Sequence, residues 1–136
     1  MPPLTLLIKP ASGSCNLRCK YCFYADESEK RSCAHFGCMS QETMRVLADK
    51  ALVYADRDCT FAFQGGEPTL AGLDFFRGIT AYLYAHPNPK RVRIHYTFQT
   101  NGILLDEAWA KWLAENHVLV GISLDGPKQI HDQYRV

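Results

Sequence analysis

The stretch Cys59-Thr60-Phe61-Ala62-Phe63-Gln64-Gly65-Gly66-Glu67-Pro68 decides how the chain is read. Its first part is a mostly apolar run of strand length, and the Gly-Gly-Glu-Pro that follows breaks it. Downstream, Phe76, Ile79 and Leu83 share one face of a helix expected over Leu73 to Ala85, which His86-Pro87-Asn88-Pro89 stops. Arg91 to Gln99 then alternates Val92, Ile94, Tyr96 and Phe98 against Arg93, His95, Thr97 and Gln99, a strand with one more polar face.

The same alternation extends in both directions. Upstream, Met44, Leu47, Ala48, Ala51, Leu52 and Ala55 recur at helical spacing, with Ser40 as N-cap and Glu42 in the first turn. Leu4 to Ile8 is a short strand that leads into Lys9-Pro10-Ala11-Ser12-Gly13, whereas Ala25 to Cys38 shows no period and reads as an irregular excursion. Beyond Thr100-Asn101-Gly102, Asp106 caps a helix with Trp109, Trp112 and Leu113 on one side. Val118 to Leu124 makes a fourth strand that ends in Asp125-Gly126-Pro127. Strands alternating with helices predict an α/β chain with a parallel sheet and right-handed crossovers. Each unusual loop follows a strand, the end at which such folds gather their chemistry. Taken singly, Gly65-Gly66, Asn101-Gly102 and Asp125-Gly126-Pro127 are also ordinary turn sequences.

The loop after the first strand holds Cys15-Asn16-Leu17-Arg18-Cys19-Lys20-Tyr21-Cys22. A cubane iron–sulfur cluster is normally held by four thiolates, so three compact cysteines leave one iron open to a substrate or cofactor. Structural zinc prefers paired CxxC-type ligands making a closed tetrahedron, and the sequence offers neither a second pair nor a histidine cluster. A disulfide framework needs an oxidising compartment. The apolar run at the N-terminus is too short for a signal peptide, so the cysteines point to a reduced cytoplasm.

Composition narrows the rest. The chain has 136 residues, 47% of them hydrophobic, enough for one domain with a core. A net charge of +1 without long basic runs gives no case for nucleic acid or an anionic membrane surface, and no apolar stretch approaches a membrane span. His35, His86, His95, His117 and His131 are scattered, which offers a zinc hydrolase or a Cys–His nucleophile no local support. Cys59 suits a small buried hydrophobe, and Cys33 and Cys38 plain exposed thiols.

The cysteine spacing, with the aromatic Tyr21 just before the last cysteine, resembles the cluster loop of radical S-adenosylmethionine (SAM) enzymes. That resemblance implies a [4Fe–4S] cluster on Cys15, Cys19 and Cys22, with SAM on the open iron and a 5′-deoxyadenosyl radical released by reductive cleavage. It implies SAM contacts from Tyr21, from the backbone of Gly66, from Ser123 and from the Arg135 guanidinium. Over almost the whole chain the likeness is closer. Met1 to Ser12, Phe63 to Phe76 and Leu119 to Lys128 resemble anaerobic sulfatase-maturating enzymes, oxidoreductases that convert a sulfatase Cys or Ser to Cα-formylglycine.

On that resemblance, residues 1–136 are the N-terminal part of a radical SAM partial (βα)6 TIM-like barrel. The chain is expected to stop after about the fourth strand, without the auxiliary-cluster region and without the family's proton-accepting aspartate, so no catalytic residue is assigned here. The last strand should then show an unpaired edge and an uncovered apolar face. Tyr24 and Gln64 are expected on the substrate side, and Glu67 to shape its loop rather than act as a base. A sulfatase polypeptide is the implied substrate, and a low-potential flavodoxin or ferredoxin the implied electron donor. Two other readings stay open: another peptide-modifying radical SAM maturase, and an inactive cluster-binding module.

Overall fold

The computed structural model describes residues 3–136; Met1 and Pro2, which begin the first of the resembling stretches, lie outside them. The elements are β1 (Leu4–Ile8), α1 (Phe23–Glu29), α2 (Gln41–Tyr54), β2 (Asp58–Phe63), α3 (Leu73–Ala85), β3 (Arg93–Thr100), α4 (Glu107–Glu115), β4 (Leu119–Ile122) and α5 (Lys128–Tyr134). A short 3-10 turn, Pro68–Ala71, precedes α3. The strands form one parallel sheet in the order β1-β2-β3-β4.

The register explains why the loops meet. Ile8 lies opposite Phe63, Phe63 opposite Phe98, and Phe98 opposite Val120, a single row across the sheet. The chain leaves the sheet within a few residues of that row on every strand, so the loops emerge along one rim. Below the rim, Phe61, Phe63 and Phe98 face the helices and are buried against Phe76, Ile79, Trp109 and Trp112. Phe76 meets Phe63 edge-on with centroids 5.1 Å apart and Phe98 at 5.1 Å, geometries that add about 0.5–1.5 kcal/mol each beyond area burial. The other face carries Thr97 and Gln99 on β3, the polar side that alternation predicted, and Thr60 and Ala62 on β2, which are only partly buried.

The caps are where the sequence places them. Ser40 Oγ accepts from Thr43 N–H at 3.1 Å, and Asp106 Oδ1 accepts from Trp109 N–H at 2.9 Å. Each satisfies a donor that the helix start leaves open. The helix over Leu73–Ala85 has the expected bounds.

Three expectations need correction. The stretch from Ala25 is not irregular throughout, because α1 runs to Glu29, and α5 was not foreseen; neither helix has a buried residue. β3 starts at Arg93 rather than Arg91. Arg91 takes a left-handed φ of 54°, and the Asn88 side chain brackets Val92 with bonds of 2.8 and 2.9 Å, holding that segment in a turn. β4 is shorter than Val118 to Leu124, since Val118 N–H is spent on Leu113 O at 3.0 Å and pairing with β3 ends at Ile122. β4 is an edge strand, with Leu119 72% and Ile122 60% exposed.

Candidate functional site

Loops following all four strands line a cavity of about 320 Å³ at the rim, and Cys15, Cys19, Cys22, Gly66, Ser123 and Arg135 all border it. The first loop is clamped to the second by backbone alone. Glu67 N–H donates to Ser14 O at 2.7 Å. Gly66 has φ +56°, and a Cβ there would stand 2.2 Å from Ser14 O. Only glycine permits that approach.

Glu67 is the knot of the rim. It is 1% exposed. Its Oε1 accepts from Thr69 N–H at 3.1 Å, from Thr69 Oγ1 at 2.7 Å and from Thr100 Oγ1 at 2.7 Å, while Oε2 accepts from Asn101 N–H at 2.8 Å. A buried carboxylate is tolerated only when satisfied in this way, and here the bonds tie the loop after β2 to the loop after β3. Asn101 passes the constraint on: its Nδ2 donates to Asn16 Oδ1 at 2.7 Å and points at Cys15 Sγ at 3.9 Å. The expected loop-shaping role of Glu67 therefore has a concrete form.

Each sulfur is placed differently. Cys15 Sγ takes the Leu17 N–H at 3.4 Å, and Cys19 Sγ takes Arg135 Nη1 at 3.9 Å. Cys22 is the N-cap of α1, and its N–H bonds Cys19 O at 3.0 Å. Crowding around its sulfur raises the Cys15 thiol above its ordinary value, although the residue is exposed, and the Leu17 N–H opposes that rise. Among the described residues no three His, Cys, Asp or Glu side chains lie close enough to hold one metal ion. Sulfurs sharing one tetrahedral ion stand roughly 3.8 Å apart. A cluster with one thiolate per iron asks for no such crowding, and N–H donors aimed at two of the sulfurs suit thiolate charge, so the residues fit a multi-iron group.

Of the expected SAM contacts, Gly66, Ser123 and Arg135 line the cavity and Tyr21 does not. The Tyr21 hydroxyl donates to Asp125 Oδ2, and its ring lies 5.5 Å from the Arg135 guanidinium carbon. That bond raises Tyr21 and, together with Arg135, lowers Asp125. Ser123 Oγ accepts from Gln99 Nε2 at 3.0 Å. The Gln99 side chain lies across Gly121, where a Cβ would meet Gln99 Oε1 at 2.2 Å. Tyr24 and Gln64 both line the cavity, and Lys9 Nζ sits 4.3 Å from the Tyr24 ring centre.

Sequence reasoning treated Asp125 and Asn101 as turn or segment residues and missed their contacts. Only their position after a strand pointed to them. Cys59 is fully buried and its thiol is pushed up to about 11 by that burial, while Cys33 and Cys38 are exposed. No helix among the described residues is long and apolar enough to cross a membrane.

A parallel βα sheet whose C-terminal rim gathers a three-cysteine loop and a glycine loop around one cavity defines an α/β domain built to hold a cofactor. The chain belongs to the radical SAM superfamily, whose sequence profile matches residues 10–135. That superfamily uses a [4Fe–4S] cluster and S-adenosylmethionine. The chain is 52% identical over 135 residues to a cysteine-type anaerobic sulfatase-maturating enzyme of Clostridium perfringens, covering 99% of this chain and 36% of the relative. It is 35% identical to a serine-type enzyme of Klebsiella aerogenes, covering 98% of this chain and 32% of the relative. Its fold matches the solved structure of hexahistidine-tagged anSMEcpe with bound AdoMet at a TM-score of 0.90 and 51% identity, over 98% of this chain and 35% of that one. A second match, at a TM-score of 0.88 and 50% identity, is native anSMEcpe with bound AdoMet and a Cp18Cys peptide, with 98% and 34% covered. The chain thus spans about a third of the length of the relatives it matches, and its strands correspond to part of a TIM-like barrel.

Proposed function

We propose that residues 1–136 form a radical SAM core domain of a cysteine-type anaerobic sulfatase-maturating enzyme, with Cys15, Cys19 and Cys22 as ligands of the [4Fe–4S] cluster. The observation that carries this is the convergence of those cysteines with Gly66, Ser123 and Arg135 on one cavity. The higher identity to the cysteine-type than to the serine-type relative supports a cysteine target. When bound, the reduced cluster and SAM supply one-electron chemistry that removes hydrogen from an unactivated carbon.

The chain's own residues do the positioning. Gly66 lets the second loop close on Ser14, where a Cβ would stand 2.2 Å from the carbonyl oxygen, and presents its backbone to the cofactor from the cavity wall. Ser123 presents a hydroxyl, oriented by Gln99, to the SAM carboxylate, and Arg135 offers the cation beside it. Tyr21 supports this arrangement from outside the cavity through Asp125. Tyr24 and Gln64 face the substrate peptide, with Lys9 holding the Tyr24 ring. A sulfatase polypeptide is the substrate, a low-potential flavodoxin or ferredoxin the electron donor, and the reducing cytoplasm the compartment that suits unpaired cysteines.

Anaerobic reconstitution with iron and sulfide, dithionite reduction and electron paramagnetic resonance with and without SAM test the site. A reduced-cluster signal that shifts with SAM is expected, and its loss in Cys19→Ala. Peptides carrying Cys or Ser at the target position then test the substrate by mass. Aldehyde formation from the Cys peptide ahead of the Ser peptide is expected; a signal indifferent to SAM, or a Ser preference, contradicts the corresponding part.

A further inference from the structure

Among the described residues, Asp125 and Arg135 are the one ion pair in which both partners touch the cysteine loop directly. Arg135 Nη2 donates to Asp125 Oδ1 at 3.2 Å. Its Nε lies 3.0 Å from Asp125 Oδ2 but off the hydrogen-bond axis, a contact of charge rather than a formed bond. The remaining nitrogen, Nη1, points to Cys19 Sγ at 3.9 Å. The other side of the same carboxylate takes the Tyr21 hydroxyl, two residues along the loop from Cys19. Both side chains are largely shielded, with Arg135 14% and Asp125 25% exposed. Backbone bonds reinforce the join: Lys20 N–H donates to Tyr134 O at 2.9 Å, and Arg18 N–H donates to Val136 O.

This arrangement leaves Arg135 little freedom. Asp125 bonds Nη2 and holds Nε by charge, and thereby leaves Nη1 aimed at sulfur. We propose that Asp125 is a positioning residue that seats Arg135 against Cys19, and that Arg135 thereby raises the reduction potential of a cluster held on that sulfur. Hydrogen bonds to cluster sulfurs and nearby positive charge favour the more negative, reduced state. The inference rests on the ligand assignment made above, and it gives Arg135 a task separate from any contact with SAM.

The test is a potentiometric titration of the reconstituted chain, without SAM, followed by its magnetic resonance signal. Arg135→Gln, which keeps a long polar side chain but removes the charge, lowers the midpoint potential. Asp125→Glu lowers it less, because both charges remain but the longer carboxylate arm no longer aims the guanidinium. Tyr21→Phe, which spares the Asp125–Arg135 pair, shifts it least. Equal potentials in wild type and Arg135→Gln at full cluster loading overturn the proposal while leaving the ligand assignment intact. Absence of any cluster in the wild-type chain overturns both. If Arg135→Gln fails to load, Arg135→Lys decides: a loaded cluster at wild-type potential supports the charge effect, and a loaded cluster lowered as far as in Asp125→Glu shows that the aim of the fork matters as well. Loss of loading in that variant too makes Arg135 purely structural and overturns the proposal.

Discussion

The helix-facing side of the sheet and the loops at its strand ends bury different things. On the first, Phe76 lies among Phe63, Phe75, Phe98, Trp109 and Trp112, all apolar bodies. At the second, the most deeply buried side chain with a formal charge is the Glu67 carboxylate, held by Thr69, Thr100 and Asn101. Apolar contact is non-directional and scales with area, whereas hydrogen bonds weaken steeply off-axis. The core therefore sets how stable the domain is, and the rim sets where its cofactor-binding atoms stand.

The comparison breaks if a core truncation harms the site as much as the fold, or if a rim substitution unfolds the chain. The largest effect is expected from Phe76→Ala: about 3–5 kcal/mol lost by denaturant unfolding, a large share of the roughly 5–15 kcal/mol typical of a domain. Glu67→Gln comes next, at about 1–3 kcal/mol, because the amide turns an N–H toward groups that are themselves donors. Its mark is a loss of cluster or SAM binding with far-ultraviolet circular dichroism unchanged.

The smallest effect lies at the opposite end of the strands. Asp58 joins β2 to β3 through Arg93 Nη2 at 2.9 Å and His95 Nε2 at 2.9 Å, and the Arg93 bond, then the His95 bond, hold its carboxyl below the usual range. A depressed carboxylate contributes stability above its unfolded value of about 3.9, and that contribution fades as pH falls through the lower folded value. Thermal scans between neutral and acid pH should show a small acid loss that Asp58→Asn lacks.

Much of this was legible in the sequence, for a reason visible in the elements themselves. The helix over Leu73–Ala85 and the faces of β3 were readable because burial on one side imposes a period. α1 and α5 escaped because neither buries a residue, so neither carries a stripe. In the site, Cys15, Cys19 and Cys22 stood out by type and spacing, and Gly66 by the resemblance of its loop. Tyr21 stood out by its place before the last cysteine, and its bond to Asp125 had no signal in the sequence.

By itself, then, the sequence determined the order of the strands and of the three helices with buried faces, which loops bear chemistry, and the cysteine loop that marks the superfamily, because local periodicity and residue type encode all of these. Only the tertiary structure decided that Glu67 binds Thr100 and Asn101, that Asn101 reaches Cys15, and that Asp125 aims Arg135 at Cys19. Those contacts join residues far apart along the chain, and no period or spacing encodes them. They exist because the parallel register brings every strand end to one rim.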